Sequence, residues 1–174
     1  KSGYGAGIVT SVGINHATPA SFFGKADSRN EYNKLADQLI EHSVDFAAGA
    51  TFLTTSKTDA KPEDFVKKAK DAGIAVFCGV GEYDANAIKK GQRVIYLSED
   101  LVPHQLPFEI DHKEGQTQLS DFTSAAIDYL YKNYKKGFFL MVEGGEIDGC
   151  GHSDDAAGCV NEVNGMAKSV GLAL

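Results

Sequence analysis

Residues 138–158 read FFLMVEGGEIDGCGHSDDAAG. Five apolar residues, Phe138 to Val142, run directly into Glu143; two glycines, Asp148 and His152 follow. An unbroken apolar run of this length reads as a strand in the middle of a parallel sheet, covered on both faces. In such sheets ligands gather beyond the carboxyl ends of the strands, and Glu143 stands at that end. Gly144 and Gly145 let the backbone turn tightly there. Asp148 and His152 are four apart across Gly149-Cys150-Gly151, read as a glycine-containing turn. A carboxylate with an imidazole suits zinc, and a lone glutamate suits a harder ion such as magnesium. A plainer reading stands beside this one. Acids and glycines often end strands, and Asp154 and Asp155 favour a helix N-terminus through the dipole.

Outward from this stretch, strand-like and helix-like runs alternate, the pattern of an α/β fold with a mainly parallel sheet. Residues 6–14, AGIVTSVGI, read as a strand, and Thr18-Pro19 suits a helix start with Thr18 as cap. Tyr32, Leu35, Ala36, Leu39 and Ile40 fall on one helical face. VDFAAGA, IAVFCGV and RVIYLS read as further strands. Residues 61–73 predict an amphipathic helix with Phe65, Val66 and Ala69 inward and Gly73 at its C-terminal end. Residues 120–134 predict another helix, and residues from Ser153 onward a last one. Residues 99–116 hold two prolines, His104 and His112 and show no period, so they read as a long loop.

A length of 174 residues favours one domain spanning 1–174, and 43% hydrophobic residues are enough for a core. The formal net charge of −7 argues against nucleic-acid binding by bulk electrostatics. No apolar run approaches the ~20 residues that cross a bilayer. The start, KSGYGAG, does not read as a signal peptide, which leaves the compartment open. Three cysteines, Cys78, Cys150 and Cys159, lack metal-knuckle spacing; Cys150 and Cys159 are readable as a pair or as free thiols. Gly3, Gly5 and Gly7 precede a strand, so they do not form the dinucleotide-binding pattern.

Two segments together resemble the alkaline phosphatase family. One is residues 138–158, with an apolar strand, Val-Glu-Gly, Ile-Asp and a His four residues after that Asp. The other is GIVTSVGINHATPASFFGKADSRNEY, where Thr18 in His-Ala-Thr-Pro-Ala is followed eleven residues later by Arg29. The similarity extends through the last helix, NEVNGMAKSVGLAL. The resemblance implies a three-layer α/β fold and a metal-dependent phosphate monoester hydrolase. It implies that Thr18 and Glu143 ligate magnesium, that Asp148 and His152 ligate a zinc that activates the hydrolytic water, and that Arg29 holds two phosphate oxygens, which its planar fork suits. His16 sits where relatives carry Asp or His, close to the magnesium. Taken singly, Thr18 reads as a helix cap, Arg29 as a surface arginine and His16 as a loop histidine.

The sequence also departs from that pattern. The family's nucleophilic serine stands in Asp-Ser-Ala-Ala, and no such motif occurs; Asp27-Ser28 continues as Arg29, and Ser124-Ala125-Ala126 follows a Thr inside a predicted helix. The metal-bridging Asp, the later Asp-His pair and the last zinc His have no counterparts between Lys1 and Leu174, so the chain reads as the central part of a larger enzyme and is expected to be catalytically incomplete alone. Gly149 stands where relatives often carry a basic or aromatic side chain, and the family's triple glycine is reduced at Gly49-Ala50-Thr51. By resemblance the expected cofactors are zinc and magnesium, the expected location is periplasmic or extracellular, and a homodimer is compatible. Rival readings are a phosphodiesterase, sulfatase or phosphomutase relative, or a non-catalytic phosphate- or metal-binding module.

Overall fold

The computed structural model describes residues 3–41, 44–55, 60–101 and 104–174. Among them are five strands, β1 (Gly5–Thr10), β2 (Phe46–Gly49), β3 (Ala75–Cys78), β4 (Val94–Leu97) and β5 (Phe138–Glu143). Six α-helices join them: α1 (Ala17–Ala20), α2 (Tyr32–Glu41), α3 (Pro62–Asp71), α4 (Leu119–Asn133), α5 (Glu146–His152) and α6 (Ala156–Gly171). Every strand pairing is parallel, in the order β3-β4-β2-β1-β5.

Successive strand residues face opposite sides, which divides the core in two. On one face Ile8, Ala47, Ile95 and Leu97 pack with Ala36, Leu39 and Ile40 of α2 and Phe65 and Ala69 of α3. On the other, Val9, Phe46, Ala48 and Tyr96 pack with Phe122, Ala126 and Leu130 of α4, and Met166 of α6 lies against them. The result is the expected three layers. Gly7 belongs to this packing: a Cβ there would come within 2.8 Å of Leu130, so the glycine lets α4 lie close to β1. The early glycines therefore serve helix–sheet contact.

Local chemistry sets the helix ends. Asp64 accepts the Lys61 backbone N–H at 2.9 Å at the start of α3. Gly73 leaves that helix at φ +80°, in the left-handed region that a Cβ disfavours. Asp155 accepts the Gly158 N–H at 2.9 Å and caps α6. Arg93 closes the end of α2: its guanidinium donates to the Leu39 and Ile40 carbonyls in the last turn and to the Val44 carbonyl beyond the helix.

Several expectations are corrected. Among the described residues the apolar strand β5 lies at the edge of the sheet and not in its middle, and Phe139 is 54% exposed. Only β1 pairs with it among the described residues, and the Phe22 ring, 5.6 Å away, stacks on Phe139 as partial cover. The first strand stops at Thr10 instead of Ile14. Beyond it the chain turns into contacts with other segments: Val12 bridges Gln105 and the Ile14 N–H donates to the Thr51 carbonyl at 2.8 Å. Thr18 is not a cap: α1 begins at Ala17 with His16 in the cap position, and Thr18 is exposed inside the turn. The segment 146–152 is a helix, not a glycine turn. The loop of residues 99–116 holds a short 3-10 turn at Glu109–Asp111; its residues 102 and 103 lie outside the described residues. The three cysteines are free thiols, with Cys150 buried.

A buried asparagine joins the exits of β1 and β2. The Asn15 amide donates to the carbonyls of Tyr32 at 2.9 Å and Leu53 at 3.0 Å, and its oxygen accepts the Leu53 N–H at 2.7 Å. Asn15→Ala leaves these buried groups unmatched and is expected to cost about 2–4 kcal/mol of stability. Denaturant unfolding measures this, and a loss below about 0.5 kcal/mol, as for an ordinary surface change, would count against the clamp.

Burial, with Asp128 and Asp84 nearby, pushes the Tyr83 phenol up to about 12. Burial and Asp45 push Tyr129 to about 12 as well. In the unfolded chain both ionise near about 10. Above that pH the unfolded chain has released protons that the folded chain keeps, so stability falls as pH rises from about 10 to about 12. The denaturation midpoint is expected to be lower at about pH 11 than at about pH 9, with delayed phenolate absorbance in the folded chain.

Candidate active site

The chain leaves β1 toward the layer of α2 and α3, whereas it leaves β5 toward the layer of α4 and α6. Departures to opposite faces open a crevice at the carboxyl ends of these two strands, where open parallel sheets bind ligands. The register places Thr10 opposite Glu143 there. Thr10 is buried, and its hydroxyl donates to Glu143 Oε2 at 2.7 Å while its oxygen accepts the Val12 N–H at 3.2 Å. Ser11 ties the turn after β5: its N–H donates to the Glu143 carbonyl at 3.1 Å, and its Oγ accepts the Gly145 N–H at 2.8 Å. A Cβ on Gly145 would come within 2.7 Å of Val12, so a larger residue would push β5 and the β1 exit apart.

Past this turn α5 carries the next two candidate ligands. One helical turn puts Asp148 and His152 on the same face, with Asp148 Oδ2 3.4 Å from His152 Nε2 and the side chains 86% and 81% exposed. Both donors are open to a ligand. Glu146, at the start of α5, is half-buried; burial, then Glu162, Asp148 and Glu143, raise its carboxyl above the usual range. Glu162 of α6 is buried and accepts the Glu109 N–H at 2.8 Å, and burial raises it too. Such a concentration of carboxylates favours a bound cation or a retained proton.

On the β1 side His16 stands at the head of α1. Its Nε2 lies 2.8 Å from Arg29 Nη2. Burial and Arg29 lower the His16 pKa, and Glu143 acts against them, so the imidazole feels both charges. Its Nδ1 is buried and has no hydrogen-bond partner among the described residues. Arg29 is exposed on the connection between α1 and α2. The structure thus gathers Arg29, His16 and Glu143 around the crevice, with Asp148 and His152 on the helix that follows it. Thr18 lies two residues past His16 on the exposed side of α1, without a hydrogen bond to Glu143.

A cavity of about 250 Å³ opens beside these groups, lined by His16, Tyr32, His104, Gln105 and Glu146 among others. The loop after β4 therefore reaches the crevice through His104. His112 does not; its Nε2 lies 2.9 Å from the Gln116 carbonyl. Ser124 stands apart on α4, in a groove it lines with Val80 and Tyr83, and Ser28 is on an exposed bend, so neither sits among the candidate ligands.

Among the described residues no group of three or more His, Cys, Asp and Glu side chains is gathered closely enough to hold a metal. The donors nevertheless suit the ions by type. Asp148 and His152 offer the oxygen and nitrogen that zinc takes, and Glu143 offers the hard oxygen that magnesium takes. The buried, unpartnered Nδ1 of His16 is a further polar group directed inward. Sequence reasoning missed Thr10, Ser11, Asn15 and Glu146. A signal existed for two of them, since Thr10-Ser11 interrupts an apolar run in AGIVTSVGI.

The alkaline phosphatase family model matches residues 1–174. Alkaline phosphatase 3 of Bacillus subtilis (strain 168) is 33% identical over 180 residues, covering 100% of this chain and 37% of that protein. Alkaline phosphatase 4 of the same organism is 32% identical with the same coverage. The chain thus spans well under half the length of these relatives. Among solved structures, the cold-active alkaline phosphatase from the psychrophile Shewanella sp. superposes with a TM-score of 0.79 at 28% identity, over 98% of this chain and 39% of that one. A variant of TAB5 alkaline phosphatase with Mg bound in its M3 site gives 0.80 at 26% identity, over 98% and 47%. A family match from end to end, on a fold that superposes over nearly the whole chain, leads to one conclusion: this chain belongs to the alkaline phosphatase family.

Proposed function

We propose that the chain is the central part of the catalytic domain of a metal-dependent phosphomonoesterase. The observation that carries this reading is the placing of Arg29, through His16, beside the strand end that bears Glu143 and leads to Asp148 and His152. Arg29 would hold two oxygens of the phosphate group in its planar fork. Asp148 and His152 would hold zinc, and Glu143 with Thr18 would hold magnesium. Bound there, the ions would supply Lewis-acid stabilisation of charge on the phosphate oxygens. Thr10 orients the Glu143 carboxylate, and the cavity next to His104 would admit the alcohol part of the ester. On this reading the enzyme works in the periplasm or outside the cell.

Catalysis by this chain alone is not expected. No serine stands in the family's nucleophile motif, and zinc would find two protein ligands where catalytic sites use about three. That shortfall also favours a second reading, a non-catalytic phosphate- or metal-binding module. The two readings separate when the chain replaces the matching segment of Bacillus subtilis alkaline phosphatase 3. With excess zinc and magnesium, the chimera is expected to hydrolyse a chromogenic phosphate ester, and the isolated chain is not. Arg29→Ala should lower the chimera's turnover by roughly 10²–10³-fold, the scale for losing a group that stabilises transition-state charge. A well-folded chimera without turnover would favour the binding module. Turnover by the isolated chain that Arg29→Ala abolishes would reveal a nucleophile within these residues.

Thr10→Val keeps shape while removing the hydroxyl that holds Glu143. Calorimetry on the chimera is expected to show roughly 10–100-fold weaker magnesium binding, as for loss of a hydrogen bond to a metal ligand. Unchanged magnesium affinity would mean that Glu143 needs no such support or is not a ligand.

A further inference from the structure

We propose that the cavity beside the crevice is a subsite for an organic cation, so that the favoured substrates are phosphate esters of alkylammonium alcohols, with the ammonium group held by the Glu146 carboxylate and the Tyr32 ring. The inference rests on the phosphate-binding reading of Arg29 given above. The cavity has a volume of about 250 Å³ and walls of mixed character. Val12 and Leu53 are buried and apolar, Tyr32 brings an aromatic ring, and Glu146 brings a carboxylate. His16 lines the cavity too, and its Nε2 lies 2.8 Å from Arg29 Nη2. An ester held by its phosphate at Arg29 therefore has this cavity beside it for its alcohol.

Glu146 decides the charge that the cavity accepts. Its side chain makes no hydrogen bond or ion pair among the described residues, and the charged groups that act on it, Glu162, Asp148 and Glu143, are all acids. Gly149 leaves it room, since a Cβ there would collide with Glu146 Oε2. With Asp148 and Glu143 engaged by ions, Glu146 is the acid left on the cavity wall. A half-buried carboxylate without a partner favours a cation. A metal ion takes several oxygen or nitrogen donors at once, and among the described residues no three such side chains are gathered closely enough. An alkylammonium group needs one counter-charge and apolar or aromatic surface for its carbons, which Val12, Leu53 and Tyr32 provide. The walls are also set in advance. The Asn15 amide holds the Tyr32 carbonyl at 2.9 Å and the Leu53 carbonyl at 3.0 Å, and Val12 bridges Gln105, another lining residue. Binding therefore orders little that was loose.

The test compares two esters on the chimera with Bacillus subtilis alkaline phosphatase 3: choline phosphate and neohexyl phosphate, in which a neutral carbon replaces the quaternary nitrogen. The ratio of their kcat/KM values cancels changes in catalysis itself. It is expected to favour choline phosphate about tenfold, the scale of a cation held by a ring and a partly shielded charge. Glu146→Gln should bring the ratio to within about twofold of one, because the amide keeps the shape without the charge. Tyr32→Leu should lower it about threefold and Tyr32→Phe should preserve it. A ratio near one in the unaltered chimera, or a preference that Glu146→Gln leaves intact, would overturn the proposal. Failure of the phosphate reading looks different: a folded chimera then turns over neither ester. Choline titrated into this chain still decides the subsite in that case. Shifted amide resonances of Tyr32 and Leu53 that neohexanol does not reproduce and Glu146→Gln abolishes would sustain the cation subsite, and unshifted resonances would overturn it.

Discussion

Parallel pairing of β1 with β5, from Gly5 opposite Phe138 to Thr10 opposite Glu143, sets the geometry of the crevice. A shift of one residue would turn every side chain of β5 to the other face. Glu143 would then leave Thr10, and α5 would start from a different point. Packing on both faces opposes such a slip. Ile8 and Val9 are buried on opposite sides of β1, in separate halves of the core. The close fit of Gly7 to Leu130 within the pair and of Gly145 to Val12 beyond its carboxyl end also opposes a slip.

The crevice concentrates negative charge. Glu143, Glu146 and Asp148 follow one another within six residues, and Glu162 comes in from α6. On the other side stand the Arg29 guanidinium and the His16 imidazole. Carboxylates near one another favour a retained proton or a nearby cation, and burial with neighbouring acids raises the Glu146 carboxyl; among the described residues no three donors are gathered closely enough to hold a metal. Glu109 at the rim is neutralised differently, by Lys168 at 3.2 Å. The Asp148–His152 pair is almost fully exposed, so its value to stability is small and its availability to a ligand is high.

Polar residues in the apolar layers have structural tasks. Asn15 joins two strand exits, Arg93 closes the end of α2, and Ser98 Oγ donates to the Ala50 carbonyl at 2.7 Å. Each satisfies backbone groups that would otherwise be buried without a partner. The site rests on these bonds indirectly, because His16 follows Asn15 in the chain and Arg29 reaches His16 from a bend that α2 continues.

The sequence alone determined the local pieces. Periodicity gave the buried faces of α2 and α3, apolar runs gave the five strands, and the spacing of Asp148 to His152 survives a change from turn to helix because four residues make about one helical turn. The motif spacing from Thr18 to Arg29 and from Glu143 to His152 was legible for the same reason: it lies within short stretches of chain. Strand order, the place of β5 at an edge, the bond from Thr10 to Glu143 across 133 positions and the contact of His16 with Arg29 were decided only in three dimensions. An apolar strand reads alike at the centre or the edge of a sheet, since its pattern records what its faces meet and not what pairs with its backbone. Which carboxylate meets which hydroxyl depends on register between distant strands, and that is fixed by packing of the whole core, not by any neighbour in the sequence.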